Sequence, residues 1–520
     1  AAQAPLLTPA RAAWPVGRGR RMAGAETGTV WIVALGTRGD QQPYVALAQA
    51  LQKQGHEVRL FGAKTLKNFA ATADMEVTEA GMDWQEFGYM VEKRYQAGET
   101  EQMLEPFEKT EKMYKLWHES DWMGRGSYKW FQWELHKVVT VVLSYLSVMR
   151  KPDVLIHNHL GVNIGAAAEL LGVRVFFAGL GTEPFAISEE RALPTFDLYC
   201  SIDNGVVGRV CGRTPIASMT PDEFELYNAK SGLLMGTSPL MKKLIEKEEW
   251  QKRAETWTYT GCWVLEQENK KDDEAFGSKE ARNKLEAFIK AGAAPAYIGF
   301  GSMTKVTPKF MMEVGLGAVK KAGLRAVVSK GWAGLSLEKL QEVLGESDRE
   351  LCDYAEENFF FVEECQHEWL FPLCRCVLHH GGAGTTMCSL RAGVPTVITP
   401  LVYDQMDHAK LVEKLGCGCG LEDLKTLTVD DITAALVKTS DSAMQAKAKE
   451  IAELVRAEPG VKGAADVVGQ AVKEARAKRT SKADISGLHD MYPGLLPSVL
   501  TLCLSLVPPM LVLQRLSLLA

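Results

Sequence analysis

Short apolar runs alternate with amphipathic stretches along the first part of the chain. An apolar run at residues 30–35 precedes a helical pattern over 44–54, which ends at Gly55, and a second apolar run follows at 57–61. Short apolar runs bounded by turn residues predict buried strands. A strand, a helix and a strand within about thirty residues predict a βαβ unit, in which the two strands are parallel.

The same alternation recurs further along the chain. Residues 153–157 predict a strand, 164–171 a helix and 173–178 the next strand. In the second half, strands are predicted at 296–300, 325–329, 376–379 and 396–398. Two consecutive sets of this kind predict an α/β protein with two Rossmann-like parallel-sheet domains that face each other across a cleft.

Length and composition divide the chain into segments. At 520 residues it exceeds the size at which a single core stops growing, so two domains are expected. A polar stretch that contains Lys270, Lys271, Asp272, Asp273 and Glu274 is the predicted linker between them. The predicted segments are an unstructured leader at 1–27, a first domain at 28–266, a linker at 267–280, a second domain at 281–480 and an apolar tail at 481–520.

The two end segments each allow more than one interpretation. The leader has several arginines and no acidic residue before Glu26, as transit segments do, but it lacks serine and an amphipathic period, which favours an unstructured segment. In the tail, residues 495–513 form an uncharged apolar run of membrane-spanning length, interrupted by Pro497, Pro508 and Pro509. A membrane anchor, an interfacial segment and an artefact of chain prediction all remain open for this run.

The net charge and the cysteines indicate which partners the protein has and in which cellular compartment it lies. The net charge of −6 provides no attraction to nucleic acid, so no nucleic-acid partner is expected. The 11 cysteines, none of them before Cys200, do not have the pattern of a disulfide framework, which favours a reducing, cytoplasmic compartment. The pairs Cys374/Cys376 and Cys417/Cys419 have a spacing unusual for zinc, so we interpret them as structural and expect no metal site.

One glycine-rich stretch has the character of a phosphate-binding loop. Residues 379–386 read HHGGAGTT and lie between an apolar run and a predicted helix, whereas a plain turn between a strand and a helix needs one glycine, not three. Backbone N–H groups at a helix start, and side-chain donors beside them, can hold a diphosphate. The candidate donors are His379, His380, Gly382, Ala383, Gly384, Thr385 and Thr386.

Three ordered stretches carry a family resemblance. Residues 365–410, which contain HEWLF, HHGGAGTT, LRAGVPT and a late DQ, resemble the donor-binding signature of UDP-sugar-dependent glycosyltransferases, and within them of sterol and lipid glucosyltransferases. Gln366 stands where that family usually has proline. Residues 36–44 resemble the family's first loop, and residues 297–303 resemble its domain-opening strand. The resemblance implies the GT-B fold, with an acceptor-binding first domain, a UDP-sugar-binding second domain and no cofactor beyond the UDP-sugar co-substrate.

The resemblance also implies roles for individual residues. Asp40 follows the first strand, where it fits a helix N-cap as well as a general base, and the family resemblance favours the base. Asp404 and Gln405 are implied to contact the hexose, with an ordinary turn as the alternative. The other donor-binding candidates are Gly39 in the first loop, Ser302 after a strand, and His367.

The acceptor site is less clearly indicated. The stretch 117–133 is rich in aromatic residues, including Trp130 and Trp133, and it fits equally an apolar acceptor pocket and a helix packed into the domain core. His159 and Thr182 lie in predicted strand-end loops and are further acceptor candidates, although a structural role is favoured for His159.

These observations predict an inverting glycosyltransferase that moves a hexose, glucose by resemblance, from a UDP-sugar to a hydroxyl of a sterol or another apolar acceptor, with peripheral membrane contact left open. The alternatives are a transferase acting on a phenolic or polyketide small molecule or on a lipid-linked intermediate, and an inactive protein that only binds nucleotide sugars. A dinucleotide oxidoreductase is disfavoured, because the stretch GTRGDQQ after the first strand lacks the G-x-G-x-x-G fingerprint.

Overall fold

The computed structural model describes most of both predicted domains. The described residues are 27–80, 141–142, 151–181, 232–265 and 278–479, with gaps at 37, 65, 68–69, 71–74, 76, 159–163, 166–167, 169–171, 246–247, 304–305, 364 and 402–403. The predicted tail, the aromatic stretch 117–133 and all but the last residue of the leader lie outside this part of the chain.

The first half is built on a sheet of seven parallel strands. Their order is β3-β2-β1-β4-β5-β6-β7. The strands are β1 (Thr29–Val33), β2 (Glu57–Gly62), β3 (Val77–Glu79), β4 (Val154–His157), β5 (Arg174–Gly179), β6 (Leu233–Met235) and β7 (Thr258–Tyr259). A parallel sheet is covered on both faces, which is why continuous apolar runs form its strands and why all four residues of β4 are buried.

The second half repeats this plan with six parallel strands. Their order is β10-β9-β8-β11-β12-β13. The strands are β8 (Ala296–Gly299), β9 (Ala326–Ser329), β10 (Phe359–Val362), β11 (Cys376–His379), β12 (Thr396–Ile398) and β13 (Gly418–Gly420). The predicted α/β architecture with two parallel sheets is therefore confirmed.

Helices connect the strands of both sheets. In the first half they include α1 (Arg38–Lys53), a 3₁₀ helix (Pro239–Leu244) and α2 (Glu248–Ala254). In the second half they include α3 (Lys279–Lys290), α4 (Pro308–Met311), a π-helical turn (Met312–Leu316), α5 (Gly317–Lys321), α6 (Leu337–Leu344), α7 (Arg349–Asn358), α8 (His367–Leu370), a 3₁₀ helix (Phe371–Leu373), α9 (Ala383–Ala392), α10 (Gln405–Leu415), a 3₁₀ helix (Leu424–Thr426), α11 (Val429–Lys438), α12 (Ser442–Arg456) and α13 (Gly460–Arg479).

Helix α1 begins earlier than the sequence predicted. The predicted helix covered 44–54, whereas α1 begins at Arg38 and contains Pro43. A proline has no N–H for the helix and disfavours the helical conformation in the residue before it, so the pattern indicated a boundary at that point. Because the helix begins at Arg38, Asp40 is its third residue, and the interpretation of Asp40 as an N-cap is wrong.

Helix α13 packs on the first sheet although it lies in the predicted second domain. Gln54, which directly follows α1, donates a hydrogen bond from Nε2 to Asp466 Oδ1, 2.7 Å away. The buried cluster around α1 includes five residues of α13, namely Ala464, Ala465, Val468, Ala471 and Val472. At the other boundary, Lys279 and Glu280 of the predicted linker form the first turn of α3. The remaining domain limits stay a prediction.

Each sheet has one point at which the strand order reverses. In the first sheet it lies between β1 and β4, and in the second it lies between β8 and β11. The carboxyl ends of these strands are side by side, because Val33 pairs with His157 and Gly299 pairs with His379. Open α/β sheets bind ligands in the crevice beyond the carboxyl ends of the strands at such a point, so a ligand is expected at both places.

Candidate active site

The carboxyl ends of the two sheets approach each other. Gly181 follows β5 of the first sheet, and Asp404 immediately precedes α10 of the second. A Cβ placed on Gly181 would lie 3.7 Å from Asp404 Oδ2, which is ordinary van der Waals contact. Asp404 therefore lies where the two halves meet, beside the loops that follow their strands.

The loop after β11 turns sharply at a glycine. Gly381 has a φ of 91°, and a Cβ at this position would lie 2.7 Å from Ile398 Cγ2 and 3.1 Å from the carbonyl oxygen of Gln405. A side chain is excluded here by backbone strain and by lack of space. Gly382 follows in an extended conformation and is the N-cap of α9. The glycines thus bring the start of α9 close to the start of α10.

The helices that begin at this site differ from most others described in the second half. Among the described residues, no side chain caps the N-terminus of α9 or of α10. Six other helices, α3, α4, α6, α7, α11 and α12, have side-chain caps, which are Ser278, Thr307, Ser336, Asp348, Thr428 and Asp441 respectively. In the part of the chain that the structure describes, helices α5 and α8 have none. The N–H groups at the start of α9 and the positive end of its dipole are therefore available to an anion or to water.

The two histidines of the loop have different surroundings. His379 is fully buried, its Nδ1 accepts a hydrogen bond from Gly381 N–H (3.0 Å), and its Nε2 lies 3.1 Å from Thr396 Oγ1. Thr386 is also fully buried, and its hydroxyl donates to the Gly382 carbonyl (2.9 Å). Because these polar groups are engaged inside the protein, the geometry gives His379 and Thr386 a structural role in place of the predicted donor contact.

His380 lies between two glycine loops. A Cβ on Gly301 would be 2.7 Å from His380 Cε1, and one on Gly382 would be 2.6 Å from His380 Nε2. The Nδ1 of His380 is buried and has no hydrogen-bond partner among the described residues. Burial lowers the pKa of His380 to about 4, so its ring is neutral near pH 7. A neutral ring with an unused nitrogen suits hydrogen bonding to a ligand that reaches the loop.

The adjacent residues Asp404 and Gln405 differ in their availability. Gln405 is buried, with Oε1 accepting from Leu401 N–H (2.9 Å) and Nε2 3.4 Å from Met303 Sδ. The Asp404 side chain is 33% exposed and makes no side-chain cap hydrogen bond at the start of α10. Of the predicted pair, Asp404 has the side chain that a sugar in the cleft could contact in this conformation.

The other predicted donor residues lie at the borders of the site. Ser302 follows β8 and is half-buried, and Gly39 is the exposed second residue of α1. His367 begins α8, where its Nε2 lies 3.0 Å from the Tyr297 hydroxyl and its ring stacks on Phe371 with centroids 4.6 Å apart. The roles of Ser302, Gly39 and His367 stay predictions.

Asp40 lies at the start of α1, after the central strand of the first sheet. Gly36 has a φ of 112°, and a Cβ on it would be 2.6 Å from Asp40 Oδ2, so glycine makes room for the carboxylate. One turn later, the buried Tyr44 donates its hydroxyl to the Ala178 carbonyl on β5 (2.7 Å). Burial, and secondarily the charge of Asp40, raise the pKa of Tyr44, so this phenol remains a donor. Tyr44 thus fixes the helix that carries Asp40, a role that the sequence analysis missed.

Sequence reasoning also missed His408. This residue is fully buried in α10, and its Nδ1 lies 2.7 Å from the carbonyl oxygen of Gly381. It follows Asp404 by four residues, so one helical turn places both on the same side of α10. That spacing is the signal in the sequence that could have revealed it.

Several earlier predictions concern residues that the structure does not describe. The acceptor candidates Trp130, Trp133, His159 and Thr182 all lie outside the described residues. Within the described part of the chain, no helix combines the length and apolar character needed to cross a membrane.

The paired cysteines lie in the protein core. Cys374, Cys376, Cys417 and Cys419 are all buried and free. The Sγ atoms of Cys374, Cys417 and Cys419 lie 3.4, 3.7 and 3.8 Å from main-chain carbonyl oxygens. Burial raises the pKa of each of the four thiols, which disfavours thiolate formation. These features agree with their interpretation as structural residues.

Two family models match the chain in the regions that carry this site. The glycosyltransferase family 28 N-terminal domain matches residues 30–120, which include Asp40. The erythromycin biosynthesis protein CIII-like C-terminal domain matches residues 344–472, which include the glycine loop and Asp404.

Similarity to individual curated proteins extends over most of the chain. Sterol 3-beta-glucosyltransferase UGT80B1 of Arabidopsis thaliana is 27% identical over 463 residues, or 84% of this chain. The sterol 3-beta-glucosyltransferase of Saccharomyces cerevisiae (strain YJM789) is 27% identical over 475 residues, or 87% of this chain. The chain is therefore similar in sequence to sterol 3-beta-glucosyltransferases over most of its length. The matches cover 66% of the Arabidopsis protein and 36% of the yeast protein, so this chain spans less than two thirds of either relative.

Solved structures confirm the fold. The glycotransferase of kitacinnamycin superposes with a TM-score of 0.59 at 15% identity, covering 86% of this chain and 99% of that structure. Spinosyn rhamnosyltransferase SpnG superposes with a TM-score of 0.56 at 18% identity, covering 86% of this chain and all of that structure. The predicted GT-B arrangement of two parallel-sheet domains is correct.

Proposed function

We propose that this protein is an inverting glycosyltransferase that moves glucose from UDP-glucose to the hydroxyl of a sterol. The observation that carries the proposal is the start of α9, where an uncapped helix follows Gly381 and Gly382 and has Gly384 as its second residue, and where His380 Nδ1 has no partner among the described residues. This combination suits the diphosphate of a nucleotide sugar. The sterol is proposed from the similarity to sterol 3-beta-glucosyltransferases along most of the chain.

In the proposed reaction, the acceptor oxygen attacks C1 of the sugar as the bond from C1 to the diphosphate oxygen breaks. The acceptor proton passes to the carboxylate of Asp40, and UDP leaves with the bonding electron pair. Negative charge develops on the diphosphate, and the N–H groups of Gly384 and Thr385 at the uncapped start of α9 stabilise this charge in the transition state. The Asp404 carboxylate, at the meeting point of the two halves, accepts hydrogen bonds from the sugar hydroxyls.

The test is product identification with purified full-length protein. UDP-glucose is supplied with a panel of sterols, phenols and polyketides, the sterols being presented both in liposomes and in detergent. We expect a sterol glucoside of inverted configuration and higher activity with liposomes, because a sterol that passes through water exposes apolar surface at a cost of about 25 cal/mol per Å². A glucosylated phenol with no sterol product would contradict the acceptor, and the absence of UDP binding would contradict the donor.

A second candidate function is sugar transfer to a polyketide or another small aglycone. It is favoured by the match of residues 344–472 to the erythromycin biosynthesis protein CIII-like C-terminal domain. The spinosyn rhamnosyltransferase was also solved in complex with thymidine diphosphate, and it superposes with a TM-score of 0.55 at 18% identity over 85% of this chain and 99% of that structure. Parallel assays with dTDP-glucose therefore separate the two candidates by their donor as well as by their acceptor.

A further inference from the structure

His408 contacts the glycine loop from a neighbouring helix. Its Nδ1 lies 2.7 Å from the carbonyl oxygen of Gly381, and since a carbonyl only accepts, Nδ1 carries the proton. The other ring nitrogen, Nε2, is buried and has no hydrogen-bond partner among the described residues. The single polar contact that His408 makes with the loop is therefore this bond to Gly381.

This bond fixes one particular peptide group. The Gly381 carbonyl and the Gly382 N–H belong to the same planar trans peptide and point in opposite directions. On its other side, Gly381 donates its own N–H to His379 Nδ1 (3.0 Å). His379 thus holds the N–H of Gly381, and His408 holds its C=O. The Gly382 N–H is therefore directed away from His408.

A peptide between two glycines needs such support. Glycine adopts positive and negative φ almost equally, so this peptide can rotate at little cost in an otherwise unsupported loop. Rotation would present the carbonyl oxygen where the N–H had been, and an oxygen repels a diphosphate. The Asp404 carboxylate lies one turn before His408, with Oδ2 3.9 Å from Nδ1, so a single helix contacts both the loop and the cleft.

We propose that His408 is a positioning residue for the donor: it holds the Gly381–Gly382 peptide so that the Gly382 N–H faces the diphosphate. The inference rests on the proposed function, because it requires a nucleotide diphosphate at the start of α9. His408 itself touches neither the donor nor the acceptor, and its effect passes through the orientation of one backbone group.

The test compares three substitutions in the full-length protein. His408→Leu removes the donor, His408→Asn places an amide N–H near the position of Nδ1, and His408→Gln places it nearer that of Nε2. We measure UDP binding by calorimetry, the KM values for donor and acceptor, and the melting temperature. His56→Leu is the control, because His56 is also buried and bonds a backbone group, Gly28 N–H, before β1 at the opposite end of the first sheet.

We expect His408→Leu to weaken UDP binding about tenfold, the value of one hydrogen bond, and to raise the donor KM alone. His408→Asn should bind UDP more tightly than both His408→Leu and His408→Gln, while His56→Leu lowers the melting temperature without changing UDP affinity. If His408→Leu does not fold, the Asn and Gln variants make the same comparison. Wild-type affinity in His408→Leu, or equal affinity of Asn and Gln, would overturn the inference alone, whereas a wild-type protein that binds neither UDP nor dTDP would overturn the proposed function with it.

Discussion

Two turns of similar form carry the opposite halves of the candidate site. In each, a buried strand leads to a glycine with positive φ, Gly36 or Gly381, and a helix begins two residues later. The second residue of each helix is also a glycine, Gly39 or Gly384. The third residue is Asp40 in α1 and Thr385 in α9. The first helical turn of α1 therefore carries a carboxylate, whereas that of α9 has no acidic residue. The backbone form is shared, and the charge at one position separates a candidate base from a candidate anion site.

The largest effect is expected from Asp40→Asn, which makes the first turn neutral like the second. Turnover should fall by about 10²–10⁴-fold because a general base is lost, whereas UDP affinity should stay near that of the wild type. Steady-state assays and calorimetry on the same preparation check both quantities. Turnover close to wild type in the folded variant would refute the base, and loss of UDP binding would show that Asp40 belongs to the donor site.

The reverse exchange, Thr385→Asp, gives the second turn the charge of the first. We expect UDP affinity to fall by about a hundredfold, because a carboxylate near the diphosphate repels it in a partly desolvated site. The unliganded protein should become slightly more stable, by about 0.3–1 kcal/mol, since an acid near a helix N-terminus is favourable. Thr385→Asn is the neutral control. If the Asp and Asn variants bind UDP equally, the anion does not lie at this turn.

Low pH should destabilise the second turn, which contains His380, in particular. The pKa of His380 is lowered to about 4 from 6.5, so the folded state takes up the proton less readily than the unfolded state. Stability is therefore full above pH 6.5 and falls as the pH drops towards 4, by about 2 kcal/mol between pH 7 and pH 5 from this group alone. Denaturant titrations at the two pH values measure the loss. His380→Gln should show a smaller loss, and bound UDP should reduce it because an anion favours the charged ring. An equal loss with and without His380 would contradict this assignment.

The smallest effect concerns the support of the first turn. Tyr44→Phe removes the hydroxyl that bonds the Ala178 carbonyl and should cost about 1 kcal/mol. Tyr354→Phe is a matched control, since its hydroxyl bonds the Leu324 carbonyl (3.2 Å) in the second half. Both variants should lose stability, but only Tyr44→Phe should reduce kcat, because Tyr44 fixes the helix that carries Asp40. Equal kcat values in the two variants would leave Tyr44 with a purely structural role.

Features of the fold that depend on local pattern could be predicted from the sequence. Apolar runs are sufficient to identify strands such as β1 and β11, and three glycines are sufficient to indicate a close backbone approach. The predicted start of α1 was wrong because a proline such as Pro43 disfavours a helix locally. In the folded protein, the hydrogen bond of Tyr44 and the packing of α13 stabilise that helix. Packing between distant segments overrides such local preferences.

Roles that depend on orientation could not be predicted. His379 and His380 are adjacent residues of the same type. His379 nevertheless bonds Gly381 and Thr396, while His380 lies between two glycine loops. In a strand, successive side chains point to opposite faces, so neighbours at a strand end enter different surroundings. The contact of His408 with Gly381 joins residues 27 positions apart and has no local signal beyond its spacing from Asp404.

The placement of α13 affects how the chain folds during synthesis. Its residues cover the same cluster as Tyr44 and Leu47 of α1, and the bond from Gln54 to Asp466 spans 412 residues. Contacts this distant in sequence close a very long loop and form late. The described strands of both sheets therefore leave the ribosome before α13 does, and the apolar surface of α1 that α13 covers stays uncovered by it until then. Exposed apolar surface of this kind makes a nascent chain prone to aggregation, which is the hazard that chaperones counter.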